Sequence, residues 1–220
     1  MKEQLQKDFD NIIRNLSLSQ RDTEIKQFYL DNFINKGFPN RRDENWKFSD
    51  LNQIIKKNIG ELSFYNDYTS TNKVDTSVFV DGLEHNKIVF INGRIEKIDF
   101  DYEKKDQIEI IDKSETINKF NNNNSLSDLN NAFTNKSFKI IVKNGYQLVK
   151  PLIIYHITNP DIWSKNINLR LDFELGKDSS LRLIDLYNDT SEKNFLNIFY
   201  NFDLKENAVL KNYKVDKLEN

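Results

Sequence analysis

The chain has 220 residues, with 32 Lys and Arg against 34 Asp and Glu, a formal charge of −2 and no cysteine. Without thiols it has no disulfide, thiolate zinc site, cysteine nucleophile or thiolate-ligated iron–sulfur cluster of its own. The near-neutral charge gives no electrostatic reason for nucleic-acid binding, and no apolar run approaches the roughly 18 residues of a membrane-spanning helix.

The polar opening Met1-Lys2-Glu3-Gln4 lacks the apolar stretch of a secretory signal, which makes the cytoplasm the expected compartment. At roughly 100–200 residues per domain, the length suits one large domain or two small ones. Ala132 and Ala208 are the only alanines, whereas Asn, Lys and Ile make up about a third of the chain, far from ordinary usage. A+T-rich coding favours those three residues, so the asparagine run 121–124 reads as loop filler.

Helical periodicity dominates the first 62 residues. Leu5, Phe9, Ile12, Ile13 and Leu16 share one stripe. A second stripe, with Ser19 or Thr23 as its cap, carries Ile25, Phe28, Tyr29, Phe33 and Ile34 until Gly37 and Pro39 stop it. Ser49 can cap a third, short helix with Leu51, Ile54 and Ile55. Residues 63–77 have no usable period and read as a linker.

From residue 78 to 220 the period changes to two. Short strands are expected at 88–92, 108–111 and 138–142. Ile167, Leu169, Leu171, Phe173 and Leu175 alternate, as do Leu196, Ile198, Tyr200, Phe202 and Leu204, so each set lines one sheet face. Leu126, Leu129 and Phe133 mark a helical turn behind Ser125. Strand, polar turn and strand recur around Asn144-Gly145, Lys177-Asp178 and Glu206-Asn207. That rhythm suits a solenoid such as a β-helix, in which each coil buries its inner face on its neighbours; a β-sandwich gives similar alternation.

Little in the chain has a catalytic pattern. His85 reads as a solvated turn residue and His156 as a satisfied imidazole at a strand end. Asp172 and Glu174 lie opposite Leu171, Phe173 and Leu175, an outward pair suited to solvent. No phosphate-binding glycine loop or nucleophile elbow occurs. No catalytic residue, metal ligand or bound cofactor is therefore expected. The segment from Gly37 to Leu51 stands apart, with two arginines, a lysine, acids and Trp46 between two helices. Its structural reading pairs Arg41 or Arg42 with Glu44 and buries Trp46 as the anchor of the third helix.

That segment resembles the Gly-Leu/Phe-Pro-Thr-Arg-Arg-x-Glu-x-Trp-Lys-Tyr-Thr-x-Leu stretch of the SufD family, scaffold subunits of the SUF system of iron–sulfur cluster assembly. Gly37, Pro39, Arg41, Arg42, Glu44, Trp46, Lys47 and Leu51 match it, with Asn40, Phe48 and Ser49 as departures. Weaker similarities follow in order at 90–94, 129–133, 149–154 and 206–210. The resemblance implies a mainly β protein with an α-helical N-terminal region (1–62) and a right-handed parallel β-helix (78–220), incomplete at Asn220, so that the chain corresponds to the family's amino-terminal portion.

The function implied is a non-catalytic scaffold that pairs with the related SufB and works with the SufC ATPase in a SufBCD complex, the SufC-binding helices lying beyond the portion matched. No membrane or nucleic-acid partner is implied. The matching residues, including Gly37, Pro39, Arg41, Arg42, Glu44, Trp46 and Lys47, carry over as structural ones. A SufB-like scaffold and a carbohydrate-active or carbohydrate-binding β-helix protein are the alternatives.

Overall fold

The computed structural model describes residues 2–64, 79–113, 124–135, 137–158, 164–189 and 193–216. Helix α1 (Lys2–Asn15) buries Leu5, Phe9 and Ile12, the stripe that the helical period predicts. In α2 (Gln20–Lys36) the Ser19 hydroxyl accepts the Asp22 N–H at 3.1 Å as N-cap. Gly37, at φ 73°, ends that helix and donates its N–H to the Phe33 carbonyl at 2.7 Å. Helix α3 (Leu51–Asn58) is capped by Asp50, one residue after the expected Ser49. Asn124, in the run read as filler, caps α4 (Ser125–Phe133) through Oδ1.

Among the described residues, nine strands form two mixed sheets. One orders β2 (Arg94–Asp99), β1 (Asn86–Ile91), β5 (Leu152–Thr158), β7 (Ser180–Asp189) and β9 (Val209–Asp216). The other orders β3 (Ile108–Lys113), β4 (Ser137–Val142), β6 (Asn166–Leu175) and β8 (Phe195–Leu204). From β1 to β9 and from β4 to β8 the neighbours are parallel, whereas β1–β2 and β3–β4 are antiparallel. Asn92 and Gly93, both with positive φ (51° and 79°), make the tight β1–β2 turn, the backbone a two-residue hairpin needs.

Two expectations are corrected here. The right-handed parallel β-helix gives way to an α/β fold of two mixed sheets, because each sheet carries an antiparallel pair at one edge. The helices are few and not a separate N-terminal region: α4, far along the chain, supplies Leu129, Ala132 and Phe133 to the same core as Leu5, Phe9, Tyr29 and Phe33. Of the expected linker, residues 65–77 lie outside the described residues. Ser63 pairs with Lys165 in a parallel bridge and exchanges backbone hydrogen bonds with Ser164 and Asn166 at 2.8 Å.

The main core fills the space between the sheets. Ile88, Phe90, Ile140, Ile154, Leu169, Leu171, Phe173 and Leu183 are buried there on inward-facing positions. The β6 alternation is buried throughout, whereas the matching β8 set is only half-buried up to Phe202 and Leu204 is exposed. At one end of the sheets the polar turns stack: the Gly145 N–H donates to the Lys177 carbonyl at 2.7 Å and the Asp178 N–H to the Glu206 carbonyl at 2.9 Å. Gly176 is required in this stack, since a Cβ there would sit 2.5 Å from Asn144 Oδ1.

Polar side chains dock α4 on the outer face of the β4–β6–β8 sheet. Asn130 Nδ2 donates to the carbonyls of Leu169 (3.0 Å) and Asn197 (2.8 Å), and Asn197 Nδ2 donates to the Leu126 carbonyl (2.9 Å). From the other side, buried Lys26 of α2 donates to the Thr134 and Asn131 carbonyls at 2.7 and 3.2 Å, groups that a helix end leaves unpaired. Burial lowers its pKa to about 8, Arg170 adding to the effect and Asp22 opposing it. Lys36 pairs with buried Asp128 at 2.8 Å.

Glu103 braces the opposite edge. Its carboxylate accepts from Tyr146 Oη (2.6 Å), Asn86 Nδ2 (2.7 Å) and the N–H groups of Lys150 (3.0 Å) and Val149 (3.1 Å). Among the described residues no helix is long and apolar enough to cross a membrane.

Asn130→Ala leaves the Leu169 and Asn197 carbonyls without that donor, and is expected to cost about 1–3 kcal/mol. A lowered urea midpoint at unchanged m-value is the readout. Burial raises the Glu103 pKa, but the four hydrogen bonds outweigh it and hold the carboxylate below its ordinary value. The stabilisation it provides is present above the unfolded-state pKa and is lost as pH falls through the folded one. Denaturation curves of Glu103→Gln should therefore show a shallower loss of stability in acid than the parent.

Candidate functional site

The segment following α2 is a connector pinned at three points. Phe38 is buried, edge-on to Phe33 (5.1 Å) and Phe195 (5.9 Å). Pro39 is buried and its carbonyl accepts the Leu51 N–H at 3.0 Å. Trp46, in the 3-10 turn Glu44–Trp46, packs half-buried against the helical core. Arg41, Arg42, Glu44 and Lys47 are all exposed. The expected Arg–Glu44 ion pair is not formed among the described residues; the loop is held instead by Asn40, whose N–H reaches Asp43 Oδ2 (2.8 Å) and whose Oδ1 accepts the Arg42 N–H (3.0 Å). Phe48 is 90% exposed, with the Lys47 ammonium 5.8 Å from its ring centre.

His85 differs from its sequence reading. His85 is buried, not solvated: Nδ1 lies 2.6 Å from the Leu83 carbonyl and Nε2 2.8 Å from the Tyr155 hydroxyl. Tyr155 in turn accepts the Val80 N–H at 3.1 Å, which fastens residues 79–85 over the outer face of the β1–β5 pair. Asp172 and Glu174 do lie outward, as their parity requires, and each takes a cation: Arg170 at 3.1 Å for Asp172 and Lys139 for Glu174.

A second polar group sits inside the inter-sheet core. His156 lies within β5, stacked between Phe90 of β1 (5.6 Å) and Tyr187 of β7 (4.9 Å), its register neighbours. Asp185 occupies the next inward position of β7 and is fully buried. Tyr200 reaches across from β8 and donates to Asp185 Oδ1; His156 Nε2 is 2.9 Å from the Tyr200 hydroxyl and 3.4 Å from Asp185 Oδ1. Because the phenol's proton points to the carboxylate, the network assigns the imidazole proton to Nε2, which donates to the phenolic oxygen.

Burial is the main cause of both shifts here. It pushes the Tyr200 phenol well above its ordinary value, reinforced by Asp185 and Tyr187. It lowers His156, Lys214 adding to the effect and Asp185 opposing it. Near neutral pH the imidazole and the Tyr200 phenol are therefore both neutral. A sequence signal did exist: Leu181 and Leu183 set the inward parity of β7, and Asp185 and Tyr187 are polar residues on that same parity.

The lowered His156 pKa fixes a sign. The folded imidazole resists the proton that the unfolded one accepts near its ordinary pKa, so stability falls as pH drops through about 6.5 toward the folded value. The groups facing the ring are Asp185, Tyr187, Tyr200 and Phe90, with Lys214 beyond. His156→Gln is expected to flatten stability between pH 7.5 and 5.5, read from urea midpoints across that range. The chain matches no protein-family model and no curated protein.

Proposed function

We propose that this chain is a SufD-like, non-catalytic scaffold component of cytoplasmic iron–sulfur cluster assembly, acting through pairing with a SufB-like scaffold and the SufC ATPase. The similarity of Gly37, Pro39, Arg41, Arg42, Glu44, Trp46 and Lys47 to the family's amino-terminal stretch motivates the reading. The observation that carries it is an open face. Strands β8 and β9 each end a sheet, with β6 and β7 as their only strand partners among the described residues. Leu204, Val209, Tyr213 and Val215 are exposed on them.

Edge strands present rows of backbone donors and acceptors, and together with exposed apolar side chains they favour capture of another β-structure over solvent. A scaffold that works by pairing needs a surface of that kind. With no thiol of its own, the chain would contribute to cluster assembly by positioning other subunits.

Co-expression with SufB and SufC tests the reading. Co-elution with SufB is the expected result, and Val209→Glu combined with Tyr213→Glu should weaken the association at least ~10-fold, as for the central contacts of an interface. Failure to associate with either protein overturns the proposal.

A further inference from the structure

The scaffold reading leaves the buried group around His156 without a role. Two strands of one sheet and one of the other bring its donors together: the His156 imidazole of β5, the Asp185 carboxylate and Tyr187 phenol of β7, and the phenol of Tyr200 from β8. Tyr187 stacks on His156 at 4.9 Å, and its phenol neighbours that of Tyr200 closely enough to perturb it. An independent feature points to a ligand. Asp185 is 0% exposed, and its second oxygen, Oδ2, is buried with no hydrogen-bond partner among the described residues. Native proteins seldom leave a carboxylate oxygen in that state unless an ion or water completes it.

We propose that this cluster is a binding site for one ferric ion, held by His156, Asp185, Tyr187 and Tyr200. The argument is one of charge and donor type. One carboxylate and two phenolates carry three negative charges, which a trivalent cation neutralises; a divalent cation would leave a net negative charge among Phe90, Ile154 and Leu183, where an unpaired charge is costly. Phenolate and carboxylate oxygens are hard donors, and the neutral imidazole suits iron.

Only two of the four groups are histidine or carboxylate, and no three His, Cys, Asp or Glu converge among the described residues, so the site stands or falls on its phenolates. Binding releases the two phenolic protons to solvent and moves no electrons. Tyr187 and Tyr200 are half-buried and Lys214 is exposed, its ammonium 5.7 Å from the Tyr200 ring, which places the entrance at the β8–β9 edge. The proposal stands on this geometry and does not rest on the scaffold reading. If it holds, the expectation of a chain without a bound cofactor fails.

The test is titration of the full chain with ferric nitrilotriacetate, followed by absorbance. A single equivalent should generate a visible phenolate-to-iron charge-transfer band that saturates at one ion per chain. Tyr200→Phe and Tyr187→Phe should each weaken and shift the band, and the double variant should abolish it. Asp185→Asn should lower affinity at least ~10-fold, while Tyr155→Phe, a buried tyrosine outside the cluster, leaves the band unchanged. Circular dichroism checks that each variant folds, and the parent's band and its one-to-one stoichiometry decide the matter if one does not. No band in the parent protein, a band unchanged in the double tyrosine variant, or tighter binding of Zn(II) than of Fe(III) would each overturn the assignment.

Discussion

Everything in this molecule depends on the parity of its parallel strands. Each neighbour in β4–β6–β8 and β5–β7–β9 is in register, so an inward side chain on one strand lies over an inward side chain on the next: Phe138 over Leu171 over Tyr200, and Leu152 over Leu183. A one-residue slip would turn every such column to the wrong face. Full burial of each Leu, Ile or Phe contributes roughly 1.5–3 kcal/mol, so the columns between the sheets hold the register firmly. The stacked turns at Gly145, Asp178 and Asn207 keep the strand ends aligned at the same end.

The helical layer follows from this constraint because it has to dock on the outward positions of one sheet. Those positions on β6 and β8 carry Asn168, Arg170 and Asn197, and α4 meets them with Asn130 and Asn131. Polar docking of this kind gives orientation as well as stability, since the hydrogen bonds of Asn130, Asn197 and Arg170 form only in one placement of the helix. Lys26 completes the arrangement by capping α4 from α2, at the cost of burying an ammonium whose pKa falls to about 8. Residues that composition alone marks as coding bias therefore hold the two layers together.

The same parity explains why the buried polar group is informative. Asp185, Tyr187 and His156 interrupt columns that are otherwise apolar, and Tyr200 meets them from the facing sheet. A carboxylate and an imidazole in that setting do not lower the energy of the core by themselves, because desolvation opposes both. Their presence sets them apart from the Glu103 site, where four donors satisfy the carboxylate and a purely structural role is sufficient.

Local chemistry made much of the secondary structure legible. The 3.6-residue stripes of α1 and α2, the Ser19 cap, the Gly37 stop and the alternation of β6 all follow from side-chain spacing and backbone preference, which are properties of short segments. Caps at Asp50 and Asn124 were missed by one position, since adjacent polar residues are equally able to cap until the chain path selects one.

Pairing was not legible. The rhythm of strands and turns specifies repetition, but β1–β2 pair antiparallel through the positive φ of Asn92 and Gly93, and β3 pairs antiparallel with β4 across the intervening α4, one local hairpin and one pairing distant in sequence that turn an expected solenoid into two mixed sheets. The exposure of Arg41, Arg42 and Glu44, the burial of His85 and the meeting of His156, Asp185 and Tyr200 were likewise decided in three dimensions. By itself the sequence determined which residues could turn inward on each element; only the tertiary structure decided which inward residues would meet, because that depends on strand order and on how the two sheets close over one another.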